Sequence, residues 1–388
     1  MHVDEELSRL RVLVLLQYYA PHRTGLTLHV QHLAEQLVER GHQVTVITAR
    51  HDRRMPARSI ENGVTVHRLW APIRVSRGMI MPTHPLHVAR AMADADVISM
   101  HTPMLETAFV AAFARLRRVP IVVTHHGDLV LPPGMVGRLI ESVVRRLHRW
   151  AMRSAARAIA YSDDYAAYSV YLAGFADKTV VISPPVSIPT SRLAESAAVR
   201  ARLAPGGAPL IGFVGRFVRE KRPDVALRAL DTVHLGRPDA RLAFAGEHFI
   251  RYEDTWERSA ELVERHLSHV HFLGMIVDPQ ELADFYAACD VLVLTSDTEC
   301  FGLVQVESML CGTPVIMTDI PGGRVPVQRT GMGLLVPPGD PAAVGRAILE
   351  VLGDPARFRR TPSEVAAALG LDMTIRRYEE VLGAAAHG

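Results

Sequence analysis

The sequence predicts an α/β protein built from two doubly wound parallel-sheet domains in tandem. The chain has 388 residues, more than one hydrophobic core usually serves. Short apolar runs alternate with segments of helical periodicity along most of the chain, which is typical of parallel sheets covered by helices. The alternation is interrupted once, between Pro184 and Pro209, by a stretch rich in Pro, Ser and Ala.

The first half contains the elements of one such domain, predicted over residues 1–185. The run RVLVLLQYY at residues 11–19 is typical of a buried parallel strand. Residues 26–41 follow with apolar positions at helical spacing and a closing Gly41. Further strands are predicted in the runs HQVTVITA, ADVISMH, VPIVVTHHG, RAIAYS and KTVVIS.

The second half repeats the pattern. Residues 186–208 are predicted to connect the domains, with a short helix in LAESAAVRARL, and residues 209–370 form the second domain. Its strands are predicted in PLIGFVG, ARLAFAG, VHFLG, DVLVLTS, TPVIMT and GLLVPPGD. A final helix at about 371–388 is expected to pack back on the first domain. Because parallel sheets bind ligands beyond the carboxyl ends of their strands, we expect the site in a cleft between the domains.

Composition excludes several functional classes. Hydrophobic residues make up 48% and charged residues 22%, with a net charge of +2, so no general attraction to nucleic acid is expected. The odd set Cys289, Cys300 and Cys311 favours free thiols in a reducing compartment. No apolar run reaches the roughly 18–20 residues that cross a bilayer, and acids precede the first apolar run. We therefore expect a cytoplasmic protein with at most peripheral membrane contact.

A basic loop is predicted after the first strand of the second domain. Arg216, Arg219, Lys221 and Arg222 follow the turn at Gly215 and precede a helix. Cations on a strand-to-helix loop are placed to meet a phosphate or diphosphate. The alternative is a solvated basic loop without a ligand.

The segment TSDTECFGLVQVE carries a second candidate site. A helix is predicted from about Gly302, and its first-turn amides, around Leu303 and Val304, form an anion site. Glu307 lies roughly 6–7 Å further along the helix, the depth of a ribose attached to a diphosphate at the helix end. Glu299 precedes the helix, on the side where a donor sugar would bind. The alternative makes Glu299 a helix-end acid and Glu307 a surface residue.

These motifs resemble those of the retaining glycosyltransferases of family 4, which have the two-domain GT-B fold. The resemblance rests on Glu299-x7-Glu307 with the internal FG, on GTPVI after it, and on the GR…EK pattern that ends at Lys221. It implies that Arg216 and Lys221 neutralise a nucleotide-sugar diphosphate, that Glu307 holds the ribose, and that Glu299 contacts the donor sugar. The donor site that the resemblance implies is completed by Phe301, Gly302, Leu303 and Val304.

The family also implies roles in the first domain. VVTHHGD resembles the His-Gly segment of the family, which places His126 near the donor sugar and the acceptor. The family often has Gly-Gly in the loop after the first strand, where this chain has Thr24-Gly25. Gly25 allows the backbone to approach a phosphate closely. The implied catalytic residues are His126, Arg216, Lys221 and Glu299.

The resemblance implies a hexosyltransferase-type enzyme of class EC 2.4. The donor would be GDP-mannose or a UDP-sugar, and the acceptor a glycan, a lipid-linked sugar or a small molecule. Such a protein would serve polysaccharide or glycolipid biosynthesis. Retaining transfer in this family requires no cofactor and no metal ion for the chemistry.

A basic amphipathic helix is predicted over residues 138–157. It carries six arginines against a single acid, Glu141. Such a helix can lie on an anionic membrane surface. The alternative is a solvated face whose arginine stems cover apolar side chains.

Other functions remain open from the residues alone. A sugar-nucleotide epimerase or a phosphorylase would share the GT-B fold, and a non-catalytic subunit would share nucleotide-sugar binding. A dehydrogenase is disfavoured because no GxGxxG follows the first strand. A metal-dependent transferase could use the DAD sequence at Asp94–Asp96, which we expect to lie in a loop.

Overall fold

The computed structural model describes residues 9–75, 78–129, 134–250 and 253–388. The chain divides into two compact units. Unit 1 contains the residues up to Pro185 together with Asp372–Gly388, and unit 2 contains Val186–Leu371. Residues 1–8, which bear on the predicted absence of a signal peptide, lie outside the described residues.

Strands and helices alternate through both units. The strands are β1 (Arg11–Leu15), β2 (Gln43–Arg50), β3 (Arg58–Glu61), β4 (Val64–Trp70), β5 (Ile73–Val75), β6 (Gly78–Ile80), β7 (Val97–Thr102), β8 (Ile121–His125), β9 (Arg157–Ala160), β10 (Thr179–Val181), β11 (Leu210–Val214), β12 (Arg241–Ala245), β13 (Val270–Gly274), β14 (Val291–Leu294), β15 (Val315–Thr318) and β16 (Gly333–Val336). The helices are α1 (Gly25–Glu39), α2 (His84–Ala91), α3 (Thr107–Arg117), α4 (Met135–Ser154), α5 (Asp163–Tyr168), α6 (Leu193–Leu203), α7 (Pro223–Gly236), α8 (Thr255–Arg258), α9 (Ala260–Arg265), α10 (Pro279–Ala288), α11 (Leu303–Leu310), α12 (Arg324–Thr330), α13 (Pro341–Gly353), α14 (Pro362–Leu369) and α15 (Thr374–His387).

Unit 1 is built on an eight-stranded sheet with the order β10-β9-β8-β7-β1-β2-β4-β3. Neighbouring strands are parallel except β3, which pairs antiparallel with β4 at the edge. Successive residues of a strand face opposite sides, so β1 contributes to two cores. Val12 and Val14 pack with Leu33 of α1, whereas Leu13 packs with Val110 of α3.

Unit 2 contains a six-stranded parallel sheet with the order β13-β12-β11-β14-β15-β16. One core joins Leu227 of α7 to Val344 of α13. A second core joins Leu203 of α6 to Phe285 of α10, so residues predicted to connect the domains contribute to the interior of unit 2. The prediction of two parallel-sheet α/β domains is confirmed.

The basic helix begins and ends three residues earlier than the sequence predicts, over Met135–Ser154 and not 138–157. Helix α4 ends at Ser154, and Arg157 is the first residue of β9. The backbone at Ala155 is already extended, because the chain must enter the sheet beside β8. Lys178 closes the helix end by donating from Nζ to the carbonyl oxygens of Arg153 and Ala155, each at 3.0 Å. Within the described part of the chain, no helix has the length and apolar composition needed to cross a membrane.

Candidate active site

The basic loop of unit 2 lies between β11 and α7. Arg219, Glu220 and Lys221 form a single 3-10 turn, after which Pro223 begins α7. Arg216 lies 3.6 Å from Glu220, measured between Nη2 and Oε1. Both side chains are partly exposed, so the guanidinium of Arg216 can reorient toward a ligand.

Lys221 and Glu299 form an ion pair between the two predicted sites. The Nζ atom donates to Oε1 of Glu299, and Ser296 Oγ donates to the same oxygen at 3.1 Å. Burial opposes the charge of Lys221, but the carboxylate of Glu299 and its hydrogen bond outweigh burial and raise the pKa of the lysine. The lysine is therefore a fixed positive charge at neutral pH.

Backbone and side-chain bonds join the basic loop to the segment after β14. Thr295 Oγ1 donates to the carbonyl of Arg222 at 2.8 Å, and the amide of Asp297 donates to the carbonyl of Glu220 at 2.8 Å. The Arg222 guanidinium also lies 3.2 Å from Asp297 Oδ1. The loop that carries Lys221 and the segment that leads to Glu299 thus hold each other in place.

Gly322 allows a third loop to approach Glu299. Its φ is +77°, and a Cβ there would lie 2.7 Å from the carbonyl oxygen of Glu299 and 2.6 Å from that of Cys300. Glu299 and Gly322 form an isolated parallel bridge. Only glycine fits this backbone conformation and distance, so the position of Glu299 depends on this residue.

Helix α11 begins directly after this segment. Gly302 adopts a left-handed conformation with φ +75°, and the amide of Gln305 bonds to its carbonyl at 3.1 Å. In the described residues, no protein acceptor bonds the amides of Leu303 or Val304, which are therefore available to an anion. Phe301 is 0% exposed, so the whole residue is enclosed by protein and does not present a surface to a ligand.

Glu307 lies on the second turn of α11 and is bonded by a residue that the sequence analysis did not select. Tyr286 of α10 donates its hydroxyl proton to Oε2 of Glu307 at 2.8 Å. Burial raises the pKa of Glu307, and the bond from Tyr286 opposes that rise. One carboxylate oxygen is thus held by the protein. The pattern before β14 gave no sign that Tyr286 and Glu307 are partners.

The two site residues predicted in the first half of the chain belong to unit 1. Gly25 is the exposed first residue of α1, which Thr24 caps by accepting from the amide of Thr27. His126 follows β8 and is partly exposed. Its Nε2 lies 2.8 Å from Nδ1 of His101, and its Nδ1 is bonded to the hydroxyl of Tyr161. Both ring nitrogens therefore have protein partners.

Three histidines of unit 1 resemble a metal-binding set by residue type. The ligand nitrogens of His29, His101 and His126 lie within 4.8 Å of one another. Each ring nitrogen of the three is already paired with a hydroxyl or another imidazole. Hydrogen bonding therefore accounts for the cluster without a metal ion.

The neighbouring His125 and the DAD sequence have structural partners. His125 is fully buried, with Nε2 2.8 Å from Asp128 Oδ1 and Nδ1 3.1 Å from Thr102 Oγ1. Asp96, from the DAD sequence, forms an ion pair with Arg11 at 2.6 Å. These contacts hold loops and strand ends together.

Two family descriptions match most of the chain. Residues 196–368 match "Glycosyl transferases group 1", and residues 24–185 match "Glycosyl transferase 4-like domain". The 2-deoxystreptamine glucosyltransferase of Streptomyces kanamyceticus is 30% identical over 312 residues, covering 74% of this chain and 78% of that protein. The chain belongs to the group 1 glycosyltransferases. The predicted family and enzyme class are thereby confirmed.

Other group 1 glycosyltransferases and GT-B structures are similar to this chain. The D-inositol 3-phosphate glycosyltransferase 1 of Catenulispora acidiphila is 29% identical, covering 94% of this chain and 91% of that protein. The D-inositol 3-phosphate glycosyltransferase of Thermobispora bispora is 34% identical, but the match spans only 53% of this chain and 50% of that protein. Sucrose-phosphate synthase from Thermosynechococcus elongatus has a TM-score of 0.76 at 22% identity, with coverage of 96% and 98%. This structural likeness shows the GT-B fold.

Proposed function

We propose that this group 1 glycosyltransferase transfers a sugar, with retention, from a nucleoside diphosphate sugar to a hydroxyl group. The donor is GDP-mannose or a UDP-sugar, and the chemistry requires no metal ion. The main support is the position of the Lys221–Glu299 ion pair beside the free first-turn amides of α11. A cation, oriented amides and a carboxylate are the groups that a nucleotide-sugar requires.

Each side chain has a role in this proposal. Arg216 and Lys221 neutralise the diphosphate, whose phosphate oxygens accept from the amides of Leu303 and Val304. Glu307 accepts from the ribose hydroxyls through the oxygen that Tyr286 leaves free. Glu299 accepts from a hydroxyl of the donor sugar and exchanges part of its bond with Lys221 for that contact. In unit 1, Gly25 lies at a helix end where its backbone can approach phosphate.

The reaction breaks the bond between the anomeric carbon and the phosphate oxygen, and the electron pair stays on the nucleoside diphosphate. The acceptor oxygen forms the new bond on the same face of the sugar. Its proton passes to the departing phosphate oxygen. Cations and amides already oriented toward that oxygen stabilise the charge that develops on it. A carboxylate nucleophile of the kind used by retaining glycosidases is not part of this scheme.

We propose a cyclitol or another small polyhydroxylated ring as the acceptor. The relatives with substantial coverage are named for D-inositol 3-phosphate and 2-deoxystreptamine, which are both six-membered carbocycles with hydroxyl groups. Glycan and lipid-linked acceptors remain alternatives. Product analysis with myo-inositol, its 3-phosphate and 2-deoxystreptamine, each with the identified donor, distinguishes these classes.

The donor site is tested by thermal shift with GDP, UDP, ADP and dTDP, because a ligand stabilises the state that it binds. At least one nucleotide should raise the melting temperature, and Lys221→Ala or Glu307→Ala should abolish that rise. The chain has only two lysines, and the second, Lys178, bonds to the end of α4 in unit 1. Lys178→Ala is therefore the matched control. A rise that persists in both site variants would place the nucleotide elsewhere.

Peripheral membrane contact is proposed through α4. Met135 is 81% exposed, Leu139 64%, and Trp150 41%, and exposed arginines flank them along the helix. Val144 and Ala151 on the opposite face are buried. An exposed face that combines apolar and basic side chains suits an anionic lipid surface.

Sedimentation with phosphatidylglycerol vesicles tests this contact. The doubly substituted Arg145→Glu, Arg149→Glu protein should bind at least roughly 30-fold more weakly, since each arginine near an anionic surface contributes about 1 kcal/mol. Arg376→Glu with Arg377→Glu, on the exposed face of α15, makes the same change in net charge and should bind as the parent does. Equal binding by both double variants would exclude α4 as the contact.

A further inference from the structure

A continuous chain of hydrogen bonds surrounds the His126 ring in unit 1. Beyond Tyr161, the chain continues from the tyrosine hydroxyl to Nδ1 of His29 at 3.1 Å and from Nε2 of His29 to the hydroxyl of Tyr378 at 3.2 Å. In the other direction, Nε2 of His101 lies 3.1 Å from Oγ of Ser99. One strand (β7), the ends of two others (β8 and β9) and two helices (α1 and α15) thus contribute to one polar network.

The supporting side chains are nearly inaccessible to solvent. None of the five side chains that support His126 is more than 3% exposed; they are Ser99, His101, Tyr161, His29 and Tyr378. The imidazoles consequently resist protonation. Burial lowers the pKa of His101 to about 3. Burial, together with the surrounding histidines, also lowers the pKa of His126.

Neutral imidazoles impose a rule on this network. A neutral ring donates from one nitrogen and accepts at the other. One proton must lie between Nδ1 of His101 and Nε2 of His126. Two protons there would repel each other, and without a proton the two nitrogens could not form a hydrogen bond. Therefore His101 and His126 have the same tautomer, either both protonated at Nδ1 or both at Nε2.

We propose that Ser99, His101, Tyr161, His29 and Tyr378 are positioning residues that lock His126 in one neutral tautomer and one ring orientation. The proposal rests on the proposed function in placing His126 at the reaction site. It also assigns the ring a restricted role. His126 does not act as the base for the acceptor, since a substrate proton would have to displace the bond to His101 or to Tyr161.

The lock explains why the C-terminal helix contributes a polar group to the interior of unit 1. Tyr378 lies in α15, and its hydroxyl reaches His126 only through His29 and Tyr161. The phenol at this position couples its own proton to the proton arrangement of His29, because a hydroxyl that donates to Nε2 cannot also accept from it. The arrangement is then transmitted from one hydrogen bond to the next, as expected for a polar network in a medium of low dielectric constant.

Nitrogen-15 NMR of the full chain with labelled histidine tests the lock directly. Long-range proton–nitrogen correlations should show His101 and His126 as the same single tautomer, with neither ring titrating between pH 5 and 8. Opposite tautomers, a titrating His126, or one equivalent of Zn²⁺ that shifts all three rings would overturn the proposal. None of these results requires knowledge of the substrate.

Tyrosine variants test the positioning role. Tyr161→Phe should produce a second tautomer at His126 and lower kcat roughly 10- to 100-fold while the donor Kd stays unchanged. Tyr378→Phe should show the same spectroscopic change with a smaller loss of kcat, and it remains informative if the first variant fails to fold. Tyr171→Phe is the matched control, since this buried hydroxyl has no hydrogen-bond partner among the described residues.

The two proposals fail in different ways. A tyrosine variant with one unchanged His126 tautomer and an unchanged kcat would refute the lock, whatever nucleotide is bound. A correct tautomer pattern without any nucleotide-dependent thermal shift would instead refute the donor site and leave the lock in place.

Discussion

Replacing Tyr286 with phenylalanine tests the proposed ribose contact at a residue that touches no ligand itself. The substitution removes one hydroxyl and leaves a ring of nearly the same shape in a fully buried position. Its hydroxyl donates to Oε2 of Glu307, 2.8 Å away. The expected effect is therefore confined to the charge and the orientation of that carboxylate.

The magnitude follows from the type of bond that is lost. A hydrogen bond to a charged group contributes about 1.5–3 kcal/mol. We expect part of this free energy, about 1–1.5 kcal/mol, to be lost from the free energy of nucleotide binding. That loss corresponds to a roughly 5- to 12-fold increase in the nucleotide Kd at pH 7. Burial already raises the pKa of Glu307, and without the Tyr286 bond it rises further. Because the ionised carboxylate binds the ribose, affinity falls as pH falls, and the variant loses affinity at a higher pH than the parent.

Isothermal titration calorimetry with the nucleotide found by thermal shift, between pH 5.5 and 8, measures this effect. Thr313→Val is the matched control, because Thr313 Oγ1 donates to the backbone carbonyl of Tyr286 at 2.6 Å and does not touch Glu307. The control should change the free energy of unfolding without changing the pH dependence of Kd. A Tyr286→Phe protein whose Kd matches the parent across this range would show that Glu307 does not depend on Tyr286.

Three further changes have defined outcomes. Gly322→Ala should abolish the nucleotide-induced thermal shift, because the new Cβ would lie 2.7 Å from the Glu299 carbonyl oxygen and displace the loop that carries Glu299. An undiminished thermal shift would show that nucleotide binding does not depend on the close contact between Gly322 and Glu299. Glu379→Gln should lower the free energy of unfolding by about 1–2 kcal/mol at pH 7 in urea titrations. Burial opposes the charge of Glu379, but the bonds with His42 and Arg40 lower its pKa, so the difference should shrink as pH falls below the usual value of 4.5. A difference that does not change with pH would refute this assignment. His84→Leu should raise the free energy of unfolding by about 1 kcal/mol, because the buried ring nitrogens of His84 have no hydrogen-bond partner in the described residues. It should also make the protein less sensitive to acid between pH 6 and 4, because burial lowers the pKa of His84 to about 4. Acid unfolding at an unchanged midpoint pH would contradict this.

Local patterns predicted much of the fold. The apolar run at residues 11–15 forms β1, and LAESAAVRARL forms α6 with the boundaries that its sequence suggests. Such predictions succeed because burial on both faces of a parallel strand leaves a continuous apolar run. The antiparallel edge strand β3 was not predicted, because residues 58–61 lack such a run and are largely exposed.

The candidate site was predicted in part. Lys221 and Glu299 were selected because each follows a strand of the same sheet, and the structure joins them in an ion pair. Their assigned roles remain predictions. Tyr286 was missed because its contact with Glu307 links two helices, and nothing in the local pattern distinguishes it from an ordinary core aromatic residue.

The polar network of unit 1 was beyond the reach of sequence patterns for the same reason. His29 and Tyr378 are separated by 349 positions and meet only because α15 returns to unit 1. The basic helix was extended to Arg157 because the spacing of arginines continues past the true helix end at Ser154. Charge periodicity alone does not indicate where a chain must enter a sheet.

The return of α15 to unit 1 determines the order in which the two units can mature on the ribosome. Tyr378 and Leu382 are fully enclosed in the core that contains β1. That core stays open until α15 has been synthesised, whereas every residue of unit 2 has been made by Leu371. The unit encoded first is therefore completed last, and nascent unit 1 must keep its apolar surface from aggregating while unit 2 folds.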